Sequence, residues 1–217
     1  MKNKRLIGML VMVLVFGMLF TGCEELLNLL IDDTYEIGDT GPAGGIIFYH
    51  DPNGFNVQGY GSPGDPGYFA SYTAYFLEAA PANEANAQWG SQYLAISDVT
   101  TFTISSDVEA SIIGNGRRDT SIIVNHLTIE TGRAAQLCAN KSLNGFNDWF
   151  LPSLGELNQL YLNRNTVNSA GGNLGTNFYW SSSQMAHEYA WSLYFLLGNR
   201  NGNNKVSENN TRAIRAF

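Results

Sequence analysis

Asn144-Gly145-Phe146-Asn147-Asp148-Trp149-Phe150-Leu151-Pro152-Ser153-Leu154-Gly155-Glu156-Leu157 is the stretch from which the rest of the chain is read. Asn144-Gly145 is a turn dipeptide, and the side-chain oxygens of Asn147 and Asp148 suit local backbone bonds. Trp149, Phe150 and Leu151 set three apolar side chains between that turn and a helix start. Pro152 fixes the entry angle, and Ser153-x-x-Glu156 has the form of a capping box. Leu154, Leu157, Leu160 and Tyr161 follow at helical spacing, which predicts a helix to about Asn163.

Outward from this stretch, the upstream half reads as a lid and helices, the downstream half as strands. Ile46 to Tyr49 is a strand that Asp51-Pro52-Asn53-Gly54 should end. Phe55 to Tyr75 is a long Gly-, Pro-, Ser- and Tyr-rich connection, of the kind that is usually functional or mobile. Order resumes at Phe76 to Pro81. Val99 to Ile104 has strand character, and Ser105 to Ile113 suits a short helix or loop. Asp119 or Thr120 is expected to cap a helix carrying Ile122, Ile123 and Leu127. Thr131 or Gly132 should start another, with Ala134, Ala135, Leu137 and Cys138 inside. Asn165 to Asn177 reads as loop. Phe178 to Ser183 and Ala190 to Phe195 are strands, Gly198 to Asn204 is a turn with an Asn-Gly core, and Lys205-Val206 a short strand. Thr211 to Phe217 is the last strand, expected beside the Ile46 strand.

The 217 residues suit one domain plus a targeting segment. Lys2, Lys4 and Arg5 precede an apolar run from Leu6 to Phe20, and Thr21-Gly22-Cys23 closes it. Leu19-Phe20-Thr21-Gly22-Cys23 resembles a bacterial lipobox, although Phe20 departs from the aliphatic residue usual there. The expected organisation is a lipoprotein signal peptide over 1–22, a lipid-anchored tether over 23–36 and a domain over 37–217. Lipid on Cys23 would hold the chain in the cell envelope, in the outer membrane and facing the cell surface. Cleavage would leave 12 − 3 = 9 Lys and Arg against 19 Asp and Glu, a formal charge of −10. That balance excludes nucleic acid as a partner, because phosphate binding needs a basic footprint. Cys138 then has no disulfide partner and reads as a buried structural thiol.

Six motifs share an order with one family: Gly41 to Tyr49, Leu77 to Pro81 with Trp89-Gly90, Asn144 to Ser153 with Glu156-Leu157, Tyr179 to Ser183, Ala190-Trp191, and Arg212 to Phe217. Together they resemble the Lcl C-terminal domain family, named for the C-terminal domain of a collagen-like bacterial adhesin. The resemblance runs from about Ile37 to Phe217. It implies an α+β, C-type-lectin-like fold of the kind also used by formylglycine-generating enzymes. The expectation is two or three helices and a small, mainly antiparallel sheet with the N- and C-terminal strands adjacent. It also implies kinship to surface lipoproteins whose lectin-like domains are diversified by retroelements, with C-terminal strands and loops as the ligand-contacting face. Gln184 to Asn210 is the counterpart here.

No constellation for catalysis follows. The paired cysteines of formylglycine-generating enzymes are missing, His50, His126 and His187 lack ligand spacing, and Trp180-Ser181-Ser182-Ser183 is not a nucleophile elbow. No catalytic residue, metal ligand or cofactor is assigned. Asn147 and Asp148 are read as turn residues rather than calcium ligands. The expected function is binding of a protein or glycan ligand in an adhesin-like manner, the alternative being a structural envelope lipoprotein. Tyr189, Ser192, Tyr194, Asn199, Asn201, Asn203 and Asn204 are the expected contact residues, since Tyr supplies area and Asn adaptable hydrogen bonds.

Overall fold

The computed structural model describes residues 35–217 except Gln92. The signal peptide, Cys23 and most of the tether lie outside the described residues. Tyr35–Phe217 form one compact unit, and it has the expected α+β class. The elements are β1 (Ile46–Val57), β2 (Tyr72–Ala79), β3 (Glu84–Ala87), α1 (Gly116–His126), α2 (Ala134–Ala139), α3 (Leu154–Leu162), α4 (Arg164–Ser169), β4 (Phe178–Gln184), β5 (Tyr189–Tyr194), β6 (Asn199–Asn204), β7 (Asn209–Thr211) and β8 (Ile214–Ala216). One sheet has the order β1-β2-β8 and the other β3-β7-β4-β5-β6. All pairings are antiparallel except β4 with β7.

The capping box forms in both directions: Ser153 Oγ accepts from Glu156 N–H at 3.2 Å, and Glu156 Oε2 accepts from Ser153 N–H at 2.7 Å. The stretch leading into it is a hub. Phe150 exchanges backbone bonds with Ile214 of β8. Thr120 Oγ1 of α1 bonds both main-chain groups of Leu151. Ser182 of β4 donates its N–H to Pro152 O at 2.7 Å, and Ser183 Oγ accepts from Leu154 N–H. Phe150, Leu157 and Leu160 join Phe48, Leu77, Tyr179, Leu193 and Ile214 in one core cluster. Trp149 and Leu151 join Trp89, Trp180, Cys138 and Ala213 in a second. Adjacent residues of one segment thus seal two cores.

Several elements depart from the sequence reading. The C-terminal strand enters the sheet of the N-terminal strand but pairs with β2, which lies between them. Leu77, Glu78 and Ala79 face both partners, so β2 is the central strand. Asp51-Pro52-Asn53-Gly54 does not end β1. These four residues bulge opposite Tyr75 alone, and pairing resumes at Phe55↔Ala74. α1 begins at Gly116, ahead of Asp119, because Gly114 and Gly116 donate their N–H groups to the buried Glu156 carboxylate. α4 forms where Asn-rich loop was expected, with Val167 fully buried. Of Val99 to Ile104, only Thr101 makes a strand-type bridge, to Gln184.

The largest change concerns the C-terminal hairpin. Asn199–Asn204 is not a turn but strand β6, with Gly202 opposite Trp191. The turn lies at 195–198, where Gly198 has φ +78° and donates its N–H to Tyr194 O at 2.7 Å. Only a residue comfortable at positive φ closes this turn. Lys205-Val206 lies in the following turn rather than in a strand.

Candidate functional site

The β5–β6 hairpin carries all seven expected contact residues, but not on one face. The register pairs Tyr194 with Asn199, Ser192 with Asn201 and Ala190 with Asn203. Side chains alternate across a strand, so Tyr194, Asn199, Asn201 and Asn203 share a face with Ser192. Tyr189 and its partner Asn204 project to the other. Ser192 is fully buried, and its hydroxyl donates to Asn201 O at 3.2 Å. It braces the hairpin and offers no contact surface, a correction to its expected role. Asn201 Nδ2 is held by Asn199 O at 2.9 Å, and Asn204 Oδ1 accepts from Val206 N–H. Phe178 of β4 stacks on Tyr194 with ring centroids 4.6 Å apart. The turn adds two exposed leucines, Leu196 and Leu197.

Among the described residues β6 is an edge strand, so one row of its main-chain groups has no strand partner there. Its other side is anchored from within. Trp191 is buried, stacks on Phe102 at 5.3 Å and donates its indole N–H to Phe102 O at 2.9 Å. Arg200 donates to Ser105 O at 2.6 Å. A rigid inner strand therefore presents an Asn-rich outer one.

The three-stranded sheet holds a buried charge cluster that single-motif reading missed. Glu78 is fully buried on β2. It accepts from Ala43 N–H at 3.3 Å, Gly45 N–H at 3.0 Å and Arg215 Nη1 at 3.1 Å. Arg215 Nε also donates to Asp148 Oδ1 at 2.6 Å, and the guanidinium lies 4.2 Å over the Phe146 ring. Burial raises the Glu78 carboxyl against the pull of Arg215 and the two backbone donors. The glycine-rich run at Gly41 is therefore a cradle for a protein carboxylate. A Cβ on Gly41 would sit 2.4 Å from Glu78 Oε2. Asp148 is an ion-pair partner rather than a local turn residue. Four motifs distant in sequence meet at this one point.

Two other buried titratable sites escaped the sequence reading. Glu156 is pushed up to about 7 by burial, against three backbone N–H donors, and the buried Asp119 nearby is pushed up to about 6 by the same cause. Lys205 is fully buried beside the Trp89 ring. Its ammonium donates to Leu94 O at 2.5 Å and Gln184 Oε1 at 2.6 Å. Burial pulls it down to about 8. No carboxylate pairs with it among the described residues, so its role is to tie the segment around Leu94 to the hairpin. Cys138 is buried, and burial raises its thiol well above the ordinary range. Of the histidines, His50 stacks on Phe76 at 4.3 Å, while His126 and His187 are exposed. Among the described residues no group of three or more His, Cys, Asp or Glu is placed to hold a metal ion, and no helix is long and apolar enough to cross a membrane.

The Lcl C-terminal domain family model matches residues 115–215, the family expected from the motifs. The match opens at the start of α1 and ends at Arg215. The Gly41 and Glu78 motifs fall outside it, yet Glu78 is bonded to its last residue, Arg215, and the Gly41 run is bonded to Glu78. No curated protein matches the chain. A fimbrial protein from Bacteroides ovatus has a similar fold, with a TM-score of 0.53 and 15% identity, over 80% of this chain and 44% of that one. The chain thus spans less than half of that protein's length, and the likeness is one of fold.

Proposed function

We propose that this is an adhesin-like surface lipoprotein that binds a protein or glycan ligand through the β5–β6 hairpin. The single observation carrying the reading is the build of that hairpin. Tyr194, Asn199, Asn201 and Asn203 share one face of an edge strand whose inner neighbour is locked into the core. A recognition surface gains from such support, because contact groups held in place by the fold lose less freedom on binding. Tyr189 and Asn204 extend the contact around the edge, and Leu196 and Leu197 supply apolar area at the tip. The Lcl-type family and the fold shared with a fimbrial protein agree with an adhesin-like role. The acidic balance of the chain disfavours polyanionic ligands.

Anchoring through acylated Cys23 completes the proposal, with the domain carried on the outer membrane and facing outwards. Palmitate labelling of the full chain tests the anchor, with Cys23→Ala expected to abolish the label. Protease treatment of intact cells tests exposure. For the hairpin, glycan and host-protein arrays probed with the full chain should give hits that the Tyr194→Ala/Asn201→Ala/Asn203→Ala variant loses. Hits unaffected by that variant would remove the hairpin from the account.

A further inference from the structure

A second concave surface lies between the β1–β2 connection and α1, and none of its lining residues belongs to the hairpin. It is an open groove of about 540 Å³, within the usual size range for small-molecule sites. Its floor is one face of α1: Arg118, Ile122, Asn125 and His126 follow at helical spacing. Tyr60 forms one wall, and Ser97 and Asp98 the other.

The walls are built rather than draped. Tyr60 and Phe69 exchange backbone bonds at 3.0 and 3.2 Å, which turns the long connection into a miniature hairpin. Gly59 N–H is held by Ser71 Oγ at 2.8 Å, and Gln58 N–H by Gly114 O at 3.0 Å. Asn125 Nδ2 reaches Pro66 O at 3.2 Å, fastening the loop to α1. Arg117 lies 4.1 Å over the Phe69 ring. On the opposite wall Arg118 Nη2 holds Asp98 O at 2.5 Å while its Nη1 bonds Gln58 Oε1, so one side chain ties both walls together. Asp98 sits at φ +67°, a conformation that costs energy outside glycine and recurs at ligand sites.

The chemistry of the lining selects the ligand. Arg118 already faces Asp119 at 3.3 Å, so its charge is largely answered from within. Asp98 adds an exposed carboxylate. An anion would find no surplus of positive charge here. What remains is a mixed set of donors and acceptors (the Ser97 hydroxyl, the Asp98 carboxylate, the Asn125 amide oxygen, the His126 imidazole) beside one aromatic ring and one aliphatic side chain. A ring with an apolar face and several hydroxyls uses all of these at once. We propose that this groove is a binding site for an uncharged pyranose, such as the terminal residue of a neutral glycan, separate from the hairpin and not dependent on it.

Titration of the full chain with the methyl glycosides of glucose, galactose, mannose and fucose, followed by saturation-transfer NMR, tests this. Sodium glucuronate and inorganic sulfate serve as charged comparators. At least one neutral glycoside should bind with a Kd in the millimolar range, as expected for a single small ring with few contacts. Asp98→Gly, which relieves the backbone strain while removing the carboxylate, and Ser97→Trp, which fills the groove from an exposed position, should each weaken it at least tenfold. Tyr194→Ala on the hairpin should leave it unchanged. Absence of binding by all four glycosides, binding that survives both groove substitutions, or preference for glucuronate would overturn the assignment.

Discussion

At the scale of single residues, stability concentrates where sequence-distant motifs meet. Arg215 holds two carboxylates, Glu78 and Asp148, and one of them is fully buried. Removing one member of a buried pair leaves the other charge uncompensated, typically at a cost of about 3–5 kcal/mol. Arg215→Ala should therefore destabilise the domain by about that much in urea unfolding, and Asp148→Ala, at the half-exposed end, by far less. Equal effects would mean that Asp148 rather than Glu78 anchors the arginine. Trp149 is the other residue to test. Its ring is 2% exposed within the second core, so Trp149→Ala should cost about 3–5 kcal/mol. The sequence made Trp149 legible as core, through its place in an apolar triplet. It could not reveal Glu78 as the partner of Arg215, because nothing local distinguishes a carboxylate that will be buried from one that will be solvated.

At the scale of elements, the capping box was readable because it is local: Ser153 and Glu156 are three residues apart and their bonds close within one turn. The reach of Glu156 back to Gly114 and Gly116 was not, and it moved the start of α1. The β5–β6 hairpin was misread for a related reason. Asn201-Gly202 is the stronger turn signal by composition, but pairing Trp191 with Gly202 lets Met185 lie over the glycine, where a Cβ would approach its sulfur to 2.3 Å. Tertiary packing fixed the register, and Gly198 took the turn. Gly155 gives an element-scale prediction with a definite sign. Within an ordinary helix, Gly→Ala stabilises by about 1 kcal/mol. Here a Cβ would lie 2.5 Å from Ile112 O, and rigid backbone cannot yield. Gly155→Ala should lower the melting temperature despite its better propensity, and a rise would show that the Ser111–Ile112 segment moves freely away from α3.

At the scale of the whole molecule, buried titratable groups give the stability curve its shape. Glu156 and Asp119 have folded values near 7 and 6, above their usual 4.5 and 3.8. Their folded state holds protons more tightly, so stability is fully present below the unfolded values and is lost as pH rises through 6 and 7. Lys205 runs the other way, from 10.5 down to about 8. Its contribution is present at high pH and is lost as pH falls through 8. The melting temperature should pass through a minimum between about pH 7 and 8, rising towards about pH 5 and again towards about pH 9; above that the buried Cys138 thiol, held protonated well above its usual 9.0, costs stability as pH rises. Lys205→Met should flatten the alkaline limb alone. The order of the two sheets lay beyond the sequence, because the central position of β2 depends on which of two strands its edge accepts. The division of labour between a structural clasp at Asn144 to Leu157 and a recognition face on the hairpin is the central claim. It is tested most directly by measuring, on one array-identified ligand, both Kd and unfolding free energy for Trp149→Ala and for the Tyr194→Ala/Asn201→Ala/Asn203→Ala variant. The hairpin variant is expected to lose at least tenfold in affinity with its stability nearly intact, while Trp149→Ala loses stability and binds normally in its folded fraction. The reverse pattern, a stable Trp149→Ala protein that no longer binds and a hairpin variant that still does, would contradict it.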